Sequence, residues 1–504
     1  MSEALESLQS EIDEWVTDLL GDFAPPSVAK RKIIRDAVHG YITLEPYEVA
    51  IVDSPLVQRL RYIHQTGLTY LVYPSATHTR FEHSLGVLKA VDNMAAGLRR
   101  NGHGQLVGEG VIRELRTAAI LHDIGHVLFS HLGESILFER FGEQFERIRD
   151  EAKPKFARAN VGEILAYVMI TGAPFRKYLE DVATAYGVDF DITRIASYVI
   201  GHAPSHQEQY KTDMINGPFD ADKLDYLLRD CHFCGIKADV DVERFYQTLG
   251  VWEAAGSPRY LAMDQTGIPI LEQILFSKMM LYTAIYHHQK IRALECMVRG
   301  VIHTAWEHSA TVKNERLRFQ SVSDFLRVNE FDFFSQGLEE DALQPMIHNI
   351  LNRRLLKRAM TISMQSVSGD TQRKMFALDT IKTREPGELV DLRQRIFDAI
   401  EEEHQTSLAS LWLDLPSGPD LNEAAVHCFV NTGGEDEPKA LADMFPTDDW
   451  LTSYEQNKWH GHVFYDDDPA KRRSAARAAE SVFQEEFGIS FLPAARRLSK
   501  VQPD

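Results

Sequence analysis

Apolar residues recur at three- and four-residue steps along most of this 504-residue chain, which is the spacing of an amphipathic α-helix. Strand-like alternation of apolar and polar residues is limited to short pieces, for example at 41–44 and 70–73. The sequence therefore predicts a mostly α protein with short β elements. The helical periodicity is clearest at 7–20, 86–98, 111–121, 274–306 and 389–403.

The composition of the chain predicts two regions before residue 381. Residues 1–30 are predicted to form a separate amphipathic helix that ends at Pro25 and Pro26, because paired prolines stop helix propagation. Residues 31–380 contain no low-complexity break, and we expect them to form one domain with a helical extension.

Residues 381–504 are predicted to be an appended α+β region with a regulatory or oligomerisation role. Within this region, the segment 401–450 has 12 acidic residues and one basic residue, Lys439. Such an acidic segment, with its Gly, Pro and Asn content, is typical of solvated loops or of a surface that faces a protein partner.

The net charge of the whole chain is −20, from 54 basic and 74 acidic residues. This deficit of positive charge argues against a broad nucleic-acid surface, although a local basic pocket remains compatible with it. The basic runs at 471–473 and 496–497 are not interleaved with aromatic residues that would stack on bases. We therefore do not expect nucleic acid as a partner.

Four cysteines in 504 residues cannot form a disulfide framework. The first residues are acidic where a signal peptide would be basic and then apolar, and no apolar run approaches the roughly 18 residues of a spanning helix. Cys231 and Cys234 have no second pair at zinc-finger spacing, so we expect them to pack in the core. These features predict a cytoplasmic protein without a membrane partner.

An adjacent histidine and aspartate, His122 and Asp123, stand at the end of an apolar helix. Burying an ionised carboxylate beside an imidazole is costly unless a partner offsets the cost, and a divalent cation is the strongest such partner. His83 and Asp222 would complete a set of two histidines and two carboxylates that suits iron, manganese, zinc or similar ions. Because His83 and Asp222 are far in the chain from this adjacent pair, the spacing alone leaves a structural role open.

Several short motifs follow one another along residues 31–360. They are IRDAVHGYI at 34–42, DSPLVQRLR at 53–61, RFEHSLG at 80–86, HDIGH at 122–126, FSH at 129–131, DADKLDY at 220–226, RD at 229–230, YHH at 286–288 and RRLLKR at 353–358. In this order they resemble the motifs of the HD-domain phosphohydrolases. More narrowly, they resemble those of the deoxynucleoside triphosphate (dNTP) triphosphohydrolases, which include the bacterial dGTP triphosphohydrolases. The resemblance implies an HD-domain helical fold.

The resemblance implies a divalent metal ion, such as manganese, iron, magnesium or zinc, and a hydrolytic mechanism. A metal-activated hydroxide would attack the α-phosphorus, and the products would be a deoxynucleoside and triphosphate. His131 would protonate the leaving 5′ oxygen and Glu134 would orient its ring, although a surface helical pair is the alternative. The implied metal ligands are His83, His122, Asp123 and Asp222, and the implied catalytic residues are His126, His131 and Glu134.

One family feature is missing from this sequence. The animal SAM-and-HD-domain enzyme has a further His-Glu pair where this chain, as we align it, reads RANVGE at 158–163. Either His131 with Glu134 suffices, or another histidine such as His202 or His206 substitutes. The absence of this pair affects the expected rate of hydrolysis and the expected range of substrates.

The resemblance also implies a substrate site. The phosphate contacts would be Arg80, His126, Lys223, Tyr226 and Lys278, with Lys278 in the place of an arginine and Arg292 as a further candidate. The sugar contacts would be Gln65, Asp230 and Tyr286, and the bulk of Tyr286 would disfavour a 2′ hydroxyl. No segment identifies a base.

Four positions match those that hold an activating nucleotide between subunits of the animal enzyme, namely Lys32, Asp53, Gln58 and Arg61. This match implies a homo-oligomer, either a dimer or a tetramer. The alternative is that Asp53 or Ser54 caps the helix that begins at Pro55.

Two other functions are compatible with the same residues. One is a phosphatase or phosphodiesterase that acts on nucleoside monophosphates or cyclic nucleotides. The other is a non-catalytic nucleotide sensor that binds a partner through its C-terminal region. The complete ligand set and the pair His131 and Glu134 favour the triphosphohydrolase, which would serve dNTP pool control or antiphage defence.

Overall fold

The fold is described from a computed structural model, which covers residues 3–26, 30–237, 240–253, 258–384, 386–416, 429–431, 439–444, 453–454 and 456–500. Much of the acidic segment 401–450 therefore lies outside the described residues, and its solvated character stays a prediction. The described part of the chain is mostly helical, with short strands, and has an α+β region at its C-terminal end. The predicted fold class is thus confirmed.

The helices lie at the following positions in chain order: α1 Glu3–Leu20, α2 Pro46–Val52, α3 Pro55–Gln58, α4 Arg80–Leu98, α5 Glu109–Leu121, α6 His131–Glu151, α7 Val161–Thr171, α8 Ala173–Tyr186, α9 Ile192–Val199, α10 Gln209–Ile215, α11 Ala221–Cys234, α12 Val242–Thr248, α13 Ile268–Leu281, α14 Gln289–Glu307, α15 Val322–Arg327, α16 Glu330–Gly337, α17 Gln344–Leu351, α18 Thr371–Lys382, α19 Pro386–Asp398, α20 Leu441–Met444, α21 Pro469–Phe487 and α22 Ala494–Leu498.

The strands are β1 Lys32–Asp36, β2 Gly40–Leu44, β3 Leu249–Glu253, β4 Arg259–Asp264, β5 Lys357–Ile362, β6 Trp412–Asp414, β7 Phe429–Asn431, β8 Lys439–Ala440 and β9 Gly461–Tyr465. Strands β1 and β2 form an antiparallel hairpin in which Asp36 pairs with Gly40. The order in the second sheet is β3-β4-β7-β8, and β4 and β7 are parallel. The third sheet, β5-β9-β6, is antiparallel.

The chain divides into two compact units. The first contains residues 1–281, 320–331 and 422–445, and the second contains 282–319, 332–421 and 446–504. This division differs from the boundaries at residues 30 and 380 that the composition suggests, since α1 is counted within the first unit. The domain boundaries drawn from the sequence therefore stay a proposal.

Helix α4 lies at the centre of the first unit, in contact with α5 and α11. It begins with a capping box, in which Thr79 and Glu82 each bond the backbone of the other. Both α4 and the end of α5 are buried on nearly all sides. The polar residues at the ends of these helices are therefore held by apolar packing.

Helix α1 packs on the first unit through its apolar face. Leu5, Leu8, Ile12, Trp15 and Val16 are buried, and the helix contacts α6, α7 and α8. The predicted amphipathic pattern thus corresponds to a buried face rather than to a free helix.

The second unit has its own apolar core. Met360 and Ile362 of β5 and Val463 and Tyr465 of β9 are buried against α18, α19 and α21. This layer of helices on a short antiparallel sheet is the α+β part of the fold.

Among the described residues, the helical stretch Gln265–Tyr286 is long and apolar enough to cross a membrane by length and composition, with a mean hydropathy of 1.2. The sequence predicts no such segment. In the structure 44% of it is buried. A single helix of this kind is weak evidence for a membrane span, because core helices of other proteins have the same composition.

Candidate metal centre and active site

The rings of His83 and His122 are oriented so that their Nε2 atoms face one another. His83 Nδ1 lies 2.7 Å from Asp225 Oδ2, and His122 Nδ1 lies 2.8 Å from the carbonyl oxygen of Ala119. With a donating Nδ1–H in each ring, each Nε2 can offer a lone pair to a metal ion once it carries no proton. The two Nε2 atoms are 3.3 Å apart.

Two carboxylates approach the same point. Asp222 Oδ1 lies 2.9 Å from His83 Nε2 and 3.9 Å from His122 Nε2. Asp123 Oδ1 lies 3.2 Å from His122 Nε2, and its Oδ2 lies 3.7 Å from His83 Nε2. Two imidazole nitrogens and two carboxylate oxygens form a donor set that suits a divalent transition metal. The cluster can therefore hold the divalent cation that the sequence predicts.

The carboxylates of the cluster are held as anions, and they also favour a proton on His83 Nε2 that a bound metal ion would displace. Burial would lower the pKa of His83, but its hydrogen bonds to Asp222 and Asp225 raise it to about 10. Burial would raise the pKa of Asp222, but the hydrogen bond from His83 and the charges of both histidines lower it to about 2. The pKa of Asp123 is also held well below its ordinary value, because Arg80 and the histidines outweigh burial. The carboxylates stay ionised, as metal ligands must.

A buried network around Asp225 orients His83. Besides His83, the Asp225 carboxylate contacts His39 Nε2 at 2.6 Å and Arg229 Nε at 2.8 Å. Arg229 in turn contacts Asp36 at 2.9 Å. A Cβ atom at Gly86 would lie 1.9 Å from Asp225 Oδ1, so glycine gives the carboxylate its space. The sequence analysis assigned no role to these residues, although Asp225 stands one helical turn after Asp222.

His131, the first residue of α6, forms a pair with Glu134 one turn later. His131 Nδ1 lies 3.0 Å from Glu134 Oε2, and the His131 side chain is 74% exposed. The other oxygen of Glu134 lies 2.6 Å from His126 Nδ1, while His126 Nε2 lies 3.0 Å from Asp123 Oδ1. His126 thus connects the pair to the metal cluster.

The buried Glu134 carboxylate is stabilised as an anion. Burial would raise its pKa, but His126 and His131 hold it well below its ordinary value. For His126, burial and the charge of Arg80 would lower the pKa, and the carboxylates of Glu134 and Asp123 outweigh them and raise it. Because the Glu134 carboxylate is bonded to Nδ1 of His131, the other ring nitrogen, Nε2, can donate or accept a proton.

Arg80 joins both halves of the site. Its Nη1 lies 2.8 Å from Asp123 Oδ2, its Nε donates to Ser130 Oγ at 2.9 Å, and its Nη2 lies 3.5 Å from His131 Nε2. Phe129 and Ser130, just before His131, have φ angles of 59° and 55°. This left-handed conformation costs non-glycine residues about 1–3 kcal/mol each and occurs most often at functional sites.

The turn between α5 and α6 is supported from behind by Arg59. Its Nη2 donates to the carbonyl oxygens of Ile124 and His126 at 2.6 Å and 2.8 Å, and its guanidinium lies 5.5 Å from the ring of Trp15 in α1. Burial lowers the pKa of Arg59 to about 9. The N-terminal helix is therefore linked to the histidine turn through this arginine.

The proposed sugar-binding residues of the first unit are buried and polar. The Gln65 side-chain oxygen Oε1 is buried and has no hydrogen-bond partner among the described residues. Asp230 Oδ1 lies 2.8 Å from His78 Nε2. The third residue of this set, Tyr286, belongs to the second unit, and its role as a sugar contact stays a prediction.

The proposed phosphate contacts differ in their surroundings. Lys223 Nζ donates to Asp220 Oδ2 at 2.7 Å and to the Gly217 carbonyl at 2.8 Å. Tyr226 and Lys278 are half-buried on α11 and α13. Arg292 contacts Asp414 Oδ1 and Glu295 Oε2, both at 2.5 Å, within the second unit. These internal ion pairs favour a structural role for Arg292 over a phosphate contact.

The position of the missing His-Glu pair is occupied by the start of α7. Asn160 caps this helix, and Glu163 completes the capping box. Burial raises the pKa of Glu163 to about 7, although hydrogen bonds from the Asn160 backbone and Asn216 lower it. His202 and His206 lie in the segment that follows α9.

The four proposed activator residues are close together in the first unit. Lys32 Nζ lies 2.9 Å from Asp53 Oδ2, Arg61 Nε donates to Gln58 Oε1 at 2.7 Å, and the Arg61 guanidinium lies 3.6 Å from the ring of Phe81. A cavity of about 440 Å³ is lined by Lys32, Arg35, Asp53, Arg61 and Phe81, among others.

Neither Asp53 nor Ser54 caps helix α3 with its side chain, which was the alternative to an activator site. The Ser54 hydroxyl donates to the Ile51 carbonyl oxygen at 2.7 Å, and α3 has no side-chain cap. Asp53 pairs instead with Lys32.

Two family models match this chain. The HD domain matches residues 80–225, which include the four cluster residues, and the HD associated region matches residues 240–486. Residues 80–225 are therefore an HD domain, and residues 240–486 are an HD associated region.

Within the curated proteins, the chain is 31% identical over 304 residues to the uncharacterized protein MJ1154 of Methanocaldococcus jannaschii, covering 59% of this chain and 56% of that protein. It is 30% identical over 285 residues to the deoxynucleoside triphosphate triphosphohydrolase SAMHD1 of Homo sapiens, covering 53% and 43%. The chain thus spans about half the length of these relatives.

A solved structure shares the fold. The crystal structure of a hypothetical protein from Aquifex aeolicus superposes with a TM-score of 0.61 at 22% identity, covering 89% of this chain and 99% of the other.

Proposed function

We propose that this protein is a metal-dependent hydrolase that converts dNTPs into deoxynucleosides and triphosphate. The observation that carries the proposal is the position of His131 and Glu134, which His126 and Arg80 connect directly to a cluster of two histidines and two aspartates. The similarity to SAMHD1 dNTP triphosphohydrolases supports the substrate class.

The metal-binding residues in this proposal are His83, His122, Asp123 and Asp222. A bound divalent cation would activate water and compensate the charge of the phosphates. Asp225 and the Ala119 carbonyl hold the two imidazole rings in the orientation that ligation needs.

The leaving group of the proposed reaction is the 5′ oxygen of the nucleoside, which is a poor leaving group without a proton. His131 would supply this proton from Nε2, because Glu134 accepts a hydrogen bond from Nδ1 and stabilises the positively charged ring. The largely exposed His131 ring is accessible to a substrate. Arg80 would stabilise negative charge on the phosphates from its place between Asp123 and His131.

Substrate recognition would use the residues that the family resemblance implies. The unpartnered Gln65 Oε1 and the Asp230 carboxylate are the proposed acceptors for the 3′ hydroxyl. His126, Lys223, Tyr226 and Lys278 would contact the triphosphate, and Tyr286 would pack on the deoxyribose. Such an activity would lower the dNTP pool in the cytoplasm, for pool control or antiphage defence.

A product assay separates this function from its alternatives. The purified protein is incubated with each dNTP and manganese, and with nucleoside monophosphates and cyclic nucleotides. Release of triphosphate and deoxynucleoside supports the proposal. Orthophosphate from monophosphates alone, or hydrolysis of cyclic nucleotides alone, would establish the phosphatase or phosphodiesterase instead. Nucleotide binding without any turnover would establish the sensor.

We also propose that the cavity beside Lys32 and Arg61 binds an activating nucleotide in a homo-oligomer, either a dimer or a tetramer. The two basic side chains beside this cavity offer contacts to the phosphates of a nucleotide. Activity is measured with nucleotides singly and in pairs. We expect one nucleotide to stimulate hydrolysis of another, and Arg61→Ala to lose this stimulation. Lys177→Ala, which removes an exposed lysine paired with Asp181, is the control.

A further inference from the structure

Glu330 connects two backbone segments that flank the proposed proton donor. This residue begins α16 and is 3% exposed. Its Oε1 accepts a hydrogen bond from the His64 backbone at 3.0 Å, and its Oε2 lies 2.5 Å from His64 Nδ1. The same carboxylate accepts a hydrogen bond from the backbone of Phe129. Three N–H groups from two distant parts of the chain therefore converge on one side chain.

The segments that Glu330 holds are adjacent to the site at both ends. Phe129 and Ser130 adopt the left-handed conformation immediately before His131. His64 is followed directly by Gln65, the proposed sugar contact. The Ser130 hydroxyl donates to the His64 carbonyl at 2.7 Å, which ties the two segments together a second time.

Close packing between the segments leaves little room for an alternative arrangement. A Cβ atom at Gly67 would lie 3.3 Å from the Phe129 carbonyl oxygen, and Gly67 itself has a φ of 53°. A strained turn persists only where its surroundings hold it. Two charged groups hold this one: Arg80, which donates to Ser130 Oγ, and the carboxylate of Glu330, which accepts from the Phe129 backbone.

We propose that Glu330 is a positioning residue, which fixes the strained turn of Phe129 and Ser130 and thereby the place of His131 relative to the metal cluster. It acts through His64 and Phe129 and does not contact the substrate. The proposal rests on the proposed function for its catalytic consequence, whereas the anchoring of the two backbone segments is testable without any activity.

Replacing the Glu330 carboxylate by an amide tests its role as a hydrogen-bond acceptor. An ionised carboxylate accepts hydrogen bonds at both oxygens, whereas the amide of glutamine accepts at one oxygen and donates at its nitrogen. Glu330→Gln therefore keeps the volume of the side chain but turns a donor toward one of the three N–H groups. The strained turn should then relax.

Glu340→Gln is the matched control. Glu340 is also buried, at 4% exposure, and accepts hydrogen bonds from the backbone of Lys313 and Asn314 at 2.8 Å and 2.7 Å. It belongs to the second unit, and neither of its partners is a proposed site residue. It loses the same kind of interaction without touching the turn before His131.

Hydrogen–deuterium exchange, metal content and dNTP hydrolysis are measured for the wild type and both variants. We expect the amides of His64 and Phe129 to exchange slowly in the wild type and faster in Glu330→Gln. We also expect kcat to fall roughly tenfold to hundredfold in Glu330→Gln, with KM and metal content unchanged. Glu340→Gln should keep the wild-type kcat.

Three outcomes would overturn the proposal. Rapid exchange of both amides in the wild type would exclude the anchor, even if the variant does not fold. Faster exchange in Glu330→Gln with an unchanged kcat would exclude the positioning role. An equal loss of kcat in Glu340→Gln would show that only general stability is affected. Absence of dNTP hydrolysis in the wild type, in contrast, contradicts the proposed function and leaves the exchange test of the anchor intact.

Discussion

His83 Nε2 lies 2.9 Å from Asp222 Oδ1, and His83 Nδ1 lies 2.7 Å from Asp225 Oδ2. One face of α11 therefore supplies both a candidate metal ligand and the carboxylate that orients another ligand. Two aspartates that are three residues apart therefore add negative charge to the cluster, beside that of Asp123.

Asp222→Asn is expected to abolish tight metal binding. The amide keeps the shape of the side chain but removes one of two anionic ligands, so the affinity for a divalent cation should fall by about tenfold to hundredfold or more. The metal content after dialysis, measured by mass spectrometry, checks this. Asp92→Asn, which alters an aspartate of α4 that pairs with Arg116, should retain wild-type metal content. Full occupancy in Asp222→Asn would remove Asp222 from the ligand set.

His131→Gln is expected to lower kcat by about 10²- to 10⁴-fold, because the leaving group would lose its proton donor. The metal content should stay unchanged, since His131 is not a candidate ligand of the cluster. The same assay on His202→Gln and His206→Gln tests whether either histidine replaces the missing His-Glu pair. A large loss of kcat in one of these two, with none in His131→Gln, would transfer the role of proton donor to that residue.

Gly86→Ala is expected to destabilise the fold by about 2–4 kcal/mol. The new methyl group would meet Asp225 Oδ1 at 1.9 Å and Arg229 Nη2 at 2.4 Å, and these buried charged groups cannot separate without leaving charges unpaired. Urea denaturation of both proteins measures the difference. Gly110→Ala is the control, because a Cβ atom there meets nothing within 4 Å and alanine favours the helix. Equal stability of Gly86→Ala and the wild type would show that the Asp225 network readily rearranges.

The metal cluster and the pair of His131 and Glu134 could be predicted because they stand in short motifs with a family resemblance. The proximity of Asp225 to the cluster could also have been predicted, because it lies one turn after Asp222 on a helix whose periodicity is clear. Glu330 was not, because only tertiary contacts bring it to His64 and Phe129. Arg292 illustrates the opposite case, in which a plausible cation is paired with Asp414, a strand residue that no local pattern connects to it.

The helical content was also predictable from periodicity, whereas the domain boundaries suggested by composition stay a proposal. Composition suggests breaks near residues 30 and 380, but α1 packs through Trp15 and its apolar neighbours, and residues 320–331 return to the first unit. Such contacts depend on complementary surfaces of distant segments, which a pattern along one segment does not contain.

Glu163→Gln is expected to stabilise the protein at alkaline pH. The pKa of Glu163 rises from an ordinary value of 4.5 to about 7 on folding, so the native state holds a proton that the unfolded chain releases. The corresponding stability is present below pH 4.5 and is lost as the pH rises through 7. The glutamine variant, which is neutral throughout, should match the wild type near pH 4 and exceed it by about 1–3 kcal/mol at pH 8.

Denaturation of both proteins across this pH range gives the comparison. Glu180→Gln, which alters an exposed carboxylate paired with Arg176, should show no such trend. A variant that is less stable than the wild type at pH 8 would show that the ionised carboxylate is favourable in the fold.

The most direct test of the proposed reaction is hydrolysis of a dNTP in ¹⁸O-labelled water with manganese. Attack on the α-phosphorus with cleavage of its bond to the 5′ oxygen places the label in triphosphate and leaves the deoxynucleoside unlabelled. Mass spectrometry of the two products should therefore show one ¹⁸O atom in triphosphate alone. Label in the deoxynucleoside, or release of labelled orthophosphate or pyrophosphate instead of triphosphate, would contradict the account.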